Sequence, residues 1–525
     1  MSSDTNMDRF GCRSSLSEFV RYDASSSPHR RKPRHSDSLK PGKPNHFQKP
    51  LAEMTMVPGK RGSDMNTTTV LCAPEIDRST DFERLLRRRA IEAAIWGMPI
   101  VRFDTMRQAF FRDAQAVYGD ICYWSKPDWR LQIPTVNTQT GYVYFNFNTR
   151  MGPVVIDVPP AADVYLAGAI VSAWESTLVE VGQEGFDKGR GGKYLVLPPD
   201  YTGMVPSRYI SVRSETYNGR ALFCLKPGSS ETQPDAKSIT DFVRRMRVYS
   251  LIQAVNPPEQ RFIDMSERLF DGAVHFDDTL FDSLARMVIE EPKRTRDLVA
   301  MSVMHSLGIG HDGTFAPNVV AREILNRSAD EVRAGLMKMT TSGESLSPST
   351  QWTRSDSGCC GPAFTYESAN RFGIDERNVE FFMAFATPGK RRRPAPCLRA
   401  FGDARGEPLQ GGTSYQLRIP AGVPMKHWEI AAYDLETACF IRKSPSVAIS
   451  SGSPTTKQNA DGSVDVYFGA QPVSPECNWI YTEPSRPWFV LFRLYEPEKA
   501  AFDTSWVLPD LESLESAIAN RKLGR

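Results

Sequence analysis

Hydrophobic and polar positions alternate with a period of two between Tyr415 and Asp434. Tyr415, Leu417 and Ile419 interleave with Gln416 and Arg418, the signature of a half-buried β-strand. Pro420, Gly422 and Pro424 stop it. A second strand follows, with Trp428, Ile430 and Ala432 on one face and His427, Glu429 and Tyr433 on the other. The same rhythm of short strands and turns continues to about residue 510. Gly411–Gly412, Asp461–Gly462, Pro475, Pro484 and Pro487 punctuate it, and Tyr467, Phe468, Trp479, Tyr481, Phe489, Phe492 and Tyr495 fill the strands. Dense turns and aromatic strands predict a jelly-roll-like β-sandwich over 363–515.

An earlier β pattern precedes it. Gly152–Pro159 reads GPVVIDVP, and Val164–Trp174 is a nearly continuous apolar run, which predicts a strand buried on both faces. Short strands at this spacing predict a first β-sandwich over 79–235. At its start, Thr80 and Glu83 have capping-box spacing, and Leu85, Leu86, Ala90, Ala93 and Ala94 form a helical stripe. Gly97 and Pro99 are expected to end that helix. From residue 236 the period becomes helical. Ile239, Phe242, Val243 and Met246, then Leu280, Phe281, Leu284, Met287 and Val288, then Leu298, Met301, Val303 and Met304, mark successive helices. Ser328 and Glu331 open a last one. Residues 236–340 are expected to be a helical middle segment, and 341–362 a polar loop. The expected fold class is mainly β.

Composition narrows the function classes. With 525 residues, 40% hydrophobic and 24% charged, the chain has an ordinary globular makeup. A net charge of +2 gives no global nucleic-acid signature. No apolar run approaches the roughly 18 residues of a membrane span. Residues 1–66 are rich in Ser, Pro, Lys and Arg, with HRRKPRH at His29–His35, and predict a disordered basic tail. They show no signal-peptide core, so a cytoplasmic location is the default expectation. The nine cysteines include the neighbours Cys359 and Cys360 and form no CxxC. Free thiols are expected rather than a disulfide framework.

Several local patterns resemble chemistry. GIGHDG at Gly308–Gly313 spells GxGxxG but follows a helix, so a helix C-terminal turn is expected, not a dinucleotide site. GRGGKY at Gly189–Tyr194 has Tyr194 where a phosphate loop needs Ser or Thr. A glycine-rich hairpin is expected, with a weaker anion site using Arg190, Lys193 and backbone amides as the alternative. His427 and Glu429 share a strand face but lack a third ligand nearby. Asp434 and Glu436 are a carboxylate pair at a strand end. No metal and no cofactor is expected. The candidate ligand-binding residues are Trp428, Tyr433, Asp434, Asn478, Trp479 and Arg493, with Asp434 and Arg493 expected to pair.

VNTQTGYVYFN, MGPVVIDVP and GGKYLVLPPDYTG, then EEPKRTRDLVAMSVMHSLGIGHDGTFAP, then LRAFGDARGEPLQGGTSYQLRIP, HWEIAAYDLET, NADGSVDVYF and FRLYEP occur in that order. Through them the chain resembles proteins that join the domain of unknown function 1254 to the domain of unknown function 1214. The resemblance covers roughly 83–515. It implies a first β-sandwich, a helical segment and a second domain similar to jelly rolls that act on glycoproteins. Members are often exported. The chain departs from the family pattern at Gln139, Ala169 and Ser172, where the family carries other polar or acidic residues. The expected function is binding of a saccharide-like or other small polar ligand by the C-terminal jelly roll. A carboxylate-dependent hydrolase of glycans, using Asp434 with Glu429 or Asp465, is the alternative, and a homo-oligomer is left open.

Overall fold

In the computed structural model, the residues described are 80–227, 236–310, 313–343, 346, 350–354, 366, 370–383, 397–501 and 506–515. The basic tail, His311 and the Cys359–Cys360 pair lie outside them. Among the described residues the fold is mostly β, in several sheets, with six α-helices.

The first β region has a six-stranded sheet. Its order is Phe262–Asp264, Ile121–Trp124, Gly141–Asn148, Asn218–Pro227, Val164–Ser172, Thr177–Gly182. The apolar run Val164–Ser172 is an interior strand, as its lack of alternation requires. A four-stranded sheet runs Arg247–Ser250, Val154–Val158, Gly192–Leu197, Ile210–Arg213. Strand alternation sends Val143, Phe145 and Phe223 into a core shared with Ile156, Tyr194 and Val196 of the smaller sheet. It sends Tyr142 and Tyr144 to the opposite face, against Met106 and Phe110 of a helix.

That helix spans Thr80–Arg112. It does not stop at Gly97 and Pro99, which correct the expected boundary. A proline inside a helix loses one backbone hydrogen bond and costs about 3 kcal/mol. Burial outweighs this, because Ile100, Val101, Phe103, Met106 and Phe110 beyond it are all buried, each worth about 1.5–3 kcal/mol. Gly97 serves contact rather than termination. A Cβ built on it would stand 2.4 Å from Leu284 Cδ1, so glycine is what lets the helix Thr279–Glu290 lie this close.

The middle segment is helical only in part. Ala236–Val243, Thr279–Glu290, Leu298–Ser306 and Val319–Thr341 are helices. Between the first two, Arg247–Ser250 pairs antiparallel with Val154–Val158, and Phe262–Asp264 pairs parallel with Ile121–Trp124. Phe270–Asp271 pairs parallel with Leu131–Gln132. Strands of two to four residues are too short to show a period of their own. At the start of GIGHDG, Gly308, at φ +79°, follows the end of a helix and donates its N–H to His305 O at 3.0 Å. In the glycine-rich turn, Asp187 accepts from the N–H groups of Gly182 and Gly191 at 2.7 and 2.9 Å. The chain's own carboxylate takes those donors, and Lys193 pairs with Asp157 at 2.9 Å.

The second β region has a five-stranded sheet, Thr353–Arg354, Cys397–Ala400, Trp488–Pro497, Met425–Asp434, Ala448–Ser450. A four-stranded sheet runs Asn478–Tyr481, Val464–Gly469, Tyr415–Ile419, Glu512–Ser513. Trp428, Ile430 and Ala432 share a core with Leu417, Ile419, Val466 and Phe468. The alternate residues Ala431 and Tyr433, with Phe489 and Leu491, pack on Val136, Tyr142 and Phe382. One hydrophobic core thus joins both β regions, and the described residues fall in a single compact unit.

Candidate functional site

The strand Met425–Asp434 ends in a turn that Asp434 organises. Its Oδ1 accepts from the N–H groups of Glu436 and Thr437, each at 3.0 Å, and from Thr437 Oγ1 at 3.1 Å. Arg486, just before Trp488–Pro497, donates from Nη2 to Asp434 Oδ1 at 3.0 Å and to Glu436 at 2.8 Å, and from Nε to Asp434 Oδ2. Arg333, on the helix Val319–Thr341, donates to the other oxygen of Glu436 at 3.2 Å and to Asp330 at 3.2 Å. Across from this chain of charges, Arg442 donates to Asp271 Oδ2 at 2.6 Å and to Gln132 Oε1 at 3.1 Å. His275 Nε2 lies 3.7 Å from the same Asp271 oxygen.

These residues line a cleft of about 860 Å³, with Val274, Phe276, Phe440 and Ile441 as apolar wall. A second hollow of about 590 Å³, lined by Thr105, Arg112, Asp282 and Arg286, meets it at Asp271 and His275. Burial acts to raise the pKa of Asp271, but the nearby His275 imidazole and the hydrogen-bonded Arg442 guanidinium outweigh it and hold the group at about 2. The Asp271 carboxylate beside it in turn raises the imidazole of His275 above its ordinary 6.5.

The six residues picked from sequence go to different places, and of them Asp434 alone lines this cleft. Trp428 is buried and stacks on Phe492, with centroids 5.7 Å apart. Asn478 ties a loop to its sheet: Nδ2 donates to Lys457 O and Asp465 O, both at 2.9 Å, and Oδ1 accepts from Lys457 N at 2.8 Å. Trp479, half-buried on the same sheet, donates to Gly469 O at 2.9 Å. Tyr433 and Arg493 sit together in the seam between the β regions. The Tyr433 hydroxyl donates to Val136 O at 2.6 Å and accepts from Arg493 Nη1 at 2.7 Å. Arg493 also donates to Glu429 at 3.2 Å and to Thr135 O. Glu429 accepts from Thr138 Oγ1 at 2.7 Å.

The expected Asp434–Arg493 pair is therefore corrected. Antiparallel register sets Asp434 against Trp488 and Glu429 against Arg493. Nor do the candidate acids converge. Glu429 is fully buried in the seam, and Asp465, on the other sheet, accepts from Asn459 at 3.0 Å. His427 faces Ser451, with Nδ1 and Oγ 2.8 Å apart. The cleft residues absent from the sequence selection are Arg486, Arg333, Arg442, Asp271 and His275. They come from a two-residue strand, separate loops and one helix, and apart from the Asp271–His275 pair, four residues apart, no local spacing links them.

Residues 121–250 match the family described as "Protein of unknown function (DUF1254)" and residues 395–499 the one described as "Protein of unknown function (DUF1214)". Among solved structures, the chain is similar to the VPA0106 protein from Vibrio parahaemolyticus, at 14% identity and TM-score 0.46, covering 82% of this chain and 100% of that one. It is also similar to an uncharacterised protein from Burkholderia cenocepacia, at 12% identity and TM-score 0.37, covering 83% and 96%. No curated protein matches the chain.

Proposed function

We propose that this chain, which joins a DUF1254 segment to a DUF1214 segment, binds a small hydroxyl-rich polar ligand, saccharide-like in character, in the charged cleft. The observation that carries the reading is the cleft of about 860 Å³ walled by alternating carboxylates and guanidinium groups, within the roughly 300–1,000 Å³ typical of small-molecule sites. A hydroxyl donates and accepts at once. A wall in which Asp330, Arg333, Glu436, Arg486 and Asp434 follow one another through hydrogen bonds offers both roles at close intervals. Phe276 and Phe440 add aromatic surface.

The same pairing weighs against the carboxylate hydrolase. A glycosidase acid must hold its proton near neutral pH. Asp271 is held at about 2, and the oxygens of Asp434 and Glu436 are already engaged by Arg486 and Arg333. The jelly-roll reading of the second β region also belongs to the proposal. It draws support from the neighbour order Cys397–Ala400, Trp488–Pro497, Met425–Asp434, Ala448–Ser450 in one sheet and from Tyr415–Ile419 beside Val464–Gly469 in the other. The sandwich reading of the first region rests likewise on the core its two sheets share.

A thermal-shift screen against mono- and disaccharides tests the function. A ligand at 100 times Kd adds about 2.7 kcal/mol of stability. The shift is expected to vanish in Glu436→Gln and Arg442→Gln, each measured against its own unliganded Tm. A screen with no hit, or hits that both variants retain, would overturn the assignment.

A further inference from the structure

A separate polar island lies inside the first β region, between the helix Thr80–Arg112 and the six-stranded sheet. Asn146 and Arg220 face each other across neighbouring strands, and Tyr144 stands two residues along from Asn146 on the same face. The Tyr144 hydroxyl donates to Asn146 Oδ1 at 3.2 Å. Arg220 holds Glu175 with both ends of its fork, Nε to Oε1 at 2.9 Å and Nη2 to Oε2. Arg102 enters from the helix and is 1% exposed, while Asn146 is 0% exposed. The electrostatic neighbours of Arg102 are Glu175, Cys439, Arg220 and Tyr144, and Tyr144 senses Arg220, Glu175 and Arg102 in turn. Arg102, Arg220, Glu175 and Tyr144 thus lie near enough to act on one another's charge, and Asn146 joins them through Tyr144.

Two features of this island point to a ligand. Arg102 Nη1 donates to Gly272 O at 2.8 Å, but Arg102 Nε and Nη2 and Asn146 Nδ2 are buried without a partner among the described residues. All three are donors. A buried guanidinium left unpaired is strongly unfavourable. The charge is also unbalanced, with two guanidinium groups beside one carboxylate that Arg220 already holds. Burial lowers the pKa of Arg102 only to about 10, so it stays a cation at neutral pH.

We propose that this island is an internal site for a small monovalent inorganic anion of chloride size, held by Arg102 Nε and Nη2 and by Asn146 Nδ2. A water molecule would bring two O–H donors to a place where donors already go unpartnered. A halide accepts without donating and neutralises the surplus charge. Such an ion ties the helix to the sheet and stabilises the fold by mass action.

The test is thermal unfolding of the full chain in sodium chloride against sodium gluconate at equal ionic strength, with bromide-soaked crystals read by anomalous scattering. Chloride is expected to raise Tm by roughly 2 °C or more, and bromide to give a peak within hydrogen-bond reach of Arg102. Arg102→Met is expected to abolish the chloride response. Should that variant fail to fold, Asn146→Asp supplies a carboxylate in place of the ion and is expected to fold with no chloride response. A parent whose Tm is the same in both salts, or an Asn146→Asp variant that still responds like the parent, would overturn the site.

Discussion

Glu429 shows what a single buried charge does here. It is 0% exposed and shares Arg493 with the Tyr433 hydroxyl and the Thr135 carbonyl. Glu429→Ala leaves that guanidinium without its acid, which should cost about 3–5 kcal/mol, read as a fall in the urea midpoint. Trp428, one position away on the opposite face, should cost a similar 3–5 kcal/mol on truncation to Ala, through a cavity rather than a charge. A near-neutral Trp428→Ala in the same assay would contradict its place in the core. The Asp271–His275 pair gives the pH response. Asp271 titrates at about 2 when folded against an ordinary 3.8, so its contribution is complete above 3.8 and is lost as pH falls through 2. His275 is raised above 6.5, so its contribution is complete below 6.5 and is lost as pH rises through the raised value. Asp271→Asn should therefore cost most between these limits, near pH 5, and least at the two extremes. Equal losses at about pH 2, 5 and 9 would refute this account.

At the scale of elements, two helical glycines carry opposite expectations. Gly97 faces Leu284 at 2.4 Å from a built Cβ, whereas Gly335, exposed on the helix Val319–Thr341, meets nothing within 4 Å. Gly97→Val should overpack the contact between the helices and cost at least about 2 kcal/mol. Gly335→Ala should stabilise by about 0.5–1 kcal/mol, because it removes glycine's backbone entropy without touching a neighbour. Denaturant titration of both variants checks the pair. If Gly97→Val were neutral, Gly97 would not be setting the spacing of Thr80–Arg112 and Thr279–Glu290.

For the whole molecule the deciding fact is the shared core. Phe110 of the long helix, Tyr142 of the first β region, and Tyr433 and Phe489 of the second belong to one buried cluster. Calorimetry of Val70–Arg525 should show one cooperative transition, and residues 363–515 expressed alone should unfold well below it. Two separate transitions, or an isolated second region as stable as the parent, would show that the seam contributes little. The cleft is built the same way. Asp271 comes from the short strand of the middle segment that pairs with Leu131–Gln132, Arg333 from the helix Val319–Thr341, and Asp434 and Arg486 from the second β region.

The hydrophobic period of the sequence determined which stretches became strands and helices. Trp428, Ile430 and Ala432 face one core and Glu429 and Tyr433 another, because side chains on a strand can only alternate. The helices Ala236–Val243 and Thr279–Glu290 likewise bury their apolar stripes, Ile239, Phe242 and Val243 in one and Leu280, Phe281, Leu284, Met287 and Val288 in the other. Tertiary structure decided what local pattern does not carry. It decided that the long helix runs through Pro99, since burial of the residues beyond outweighs one lost hydrogen bond. It decided the partner of each charge, since register, not residue type, sets Arg493 against Glu429 and leaves Asp434 to Arg486. It brought Asp271, Arg333 and Arg486 to one cleft, because a hydrogen bond depends on position in space and sets no spacing along the chain.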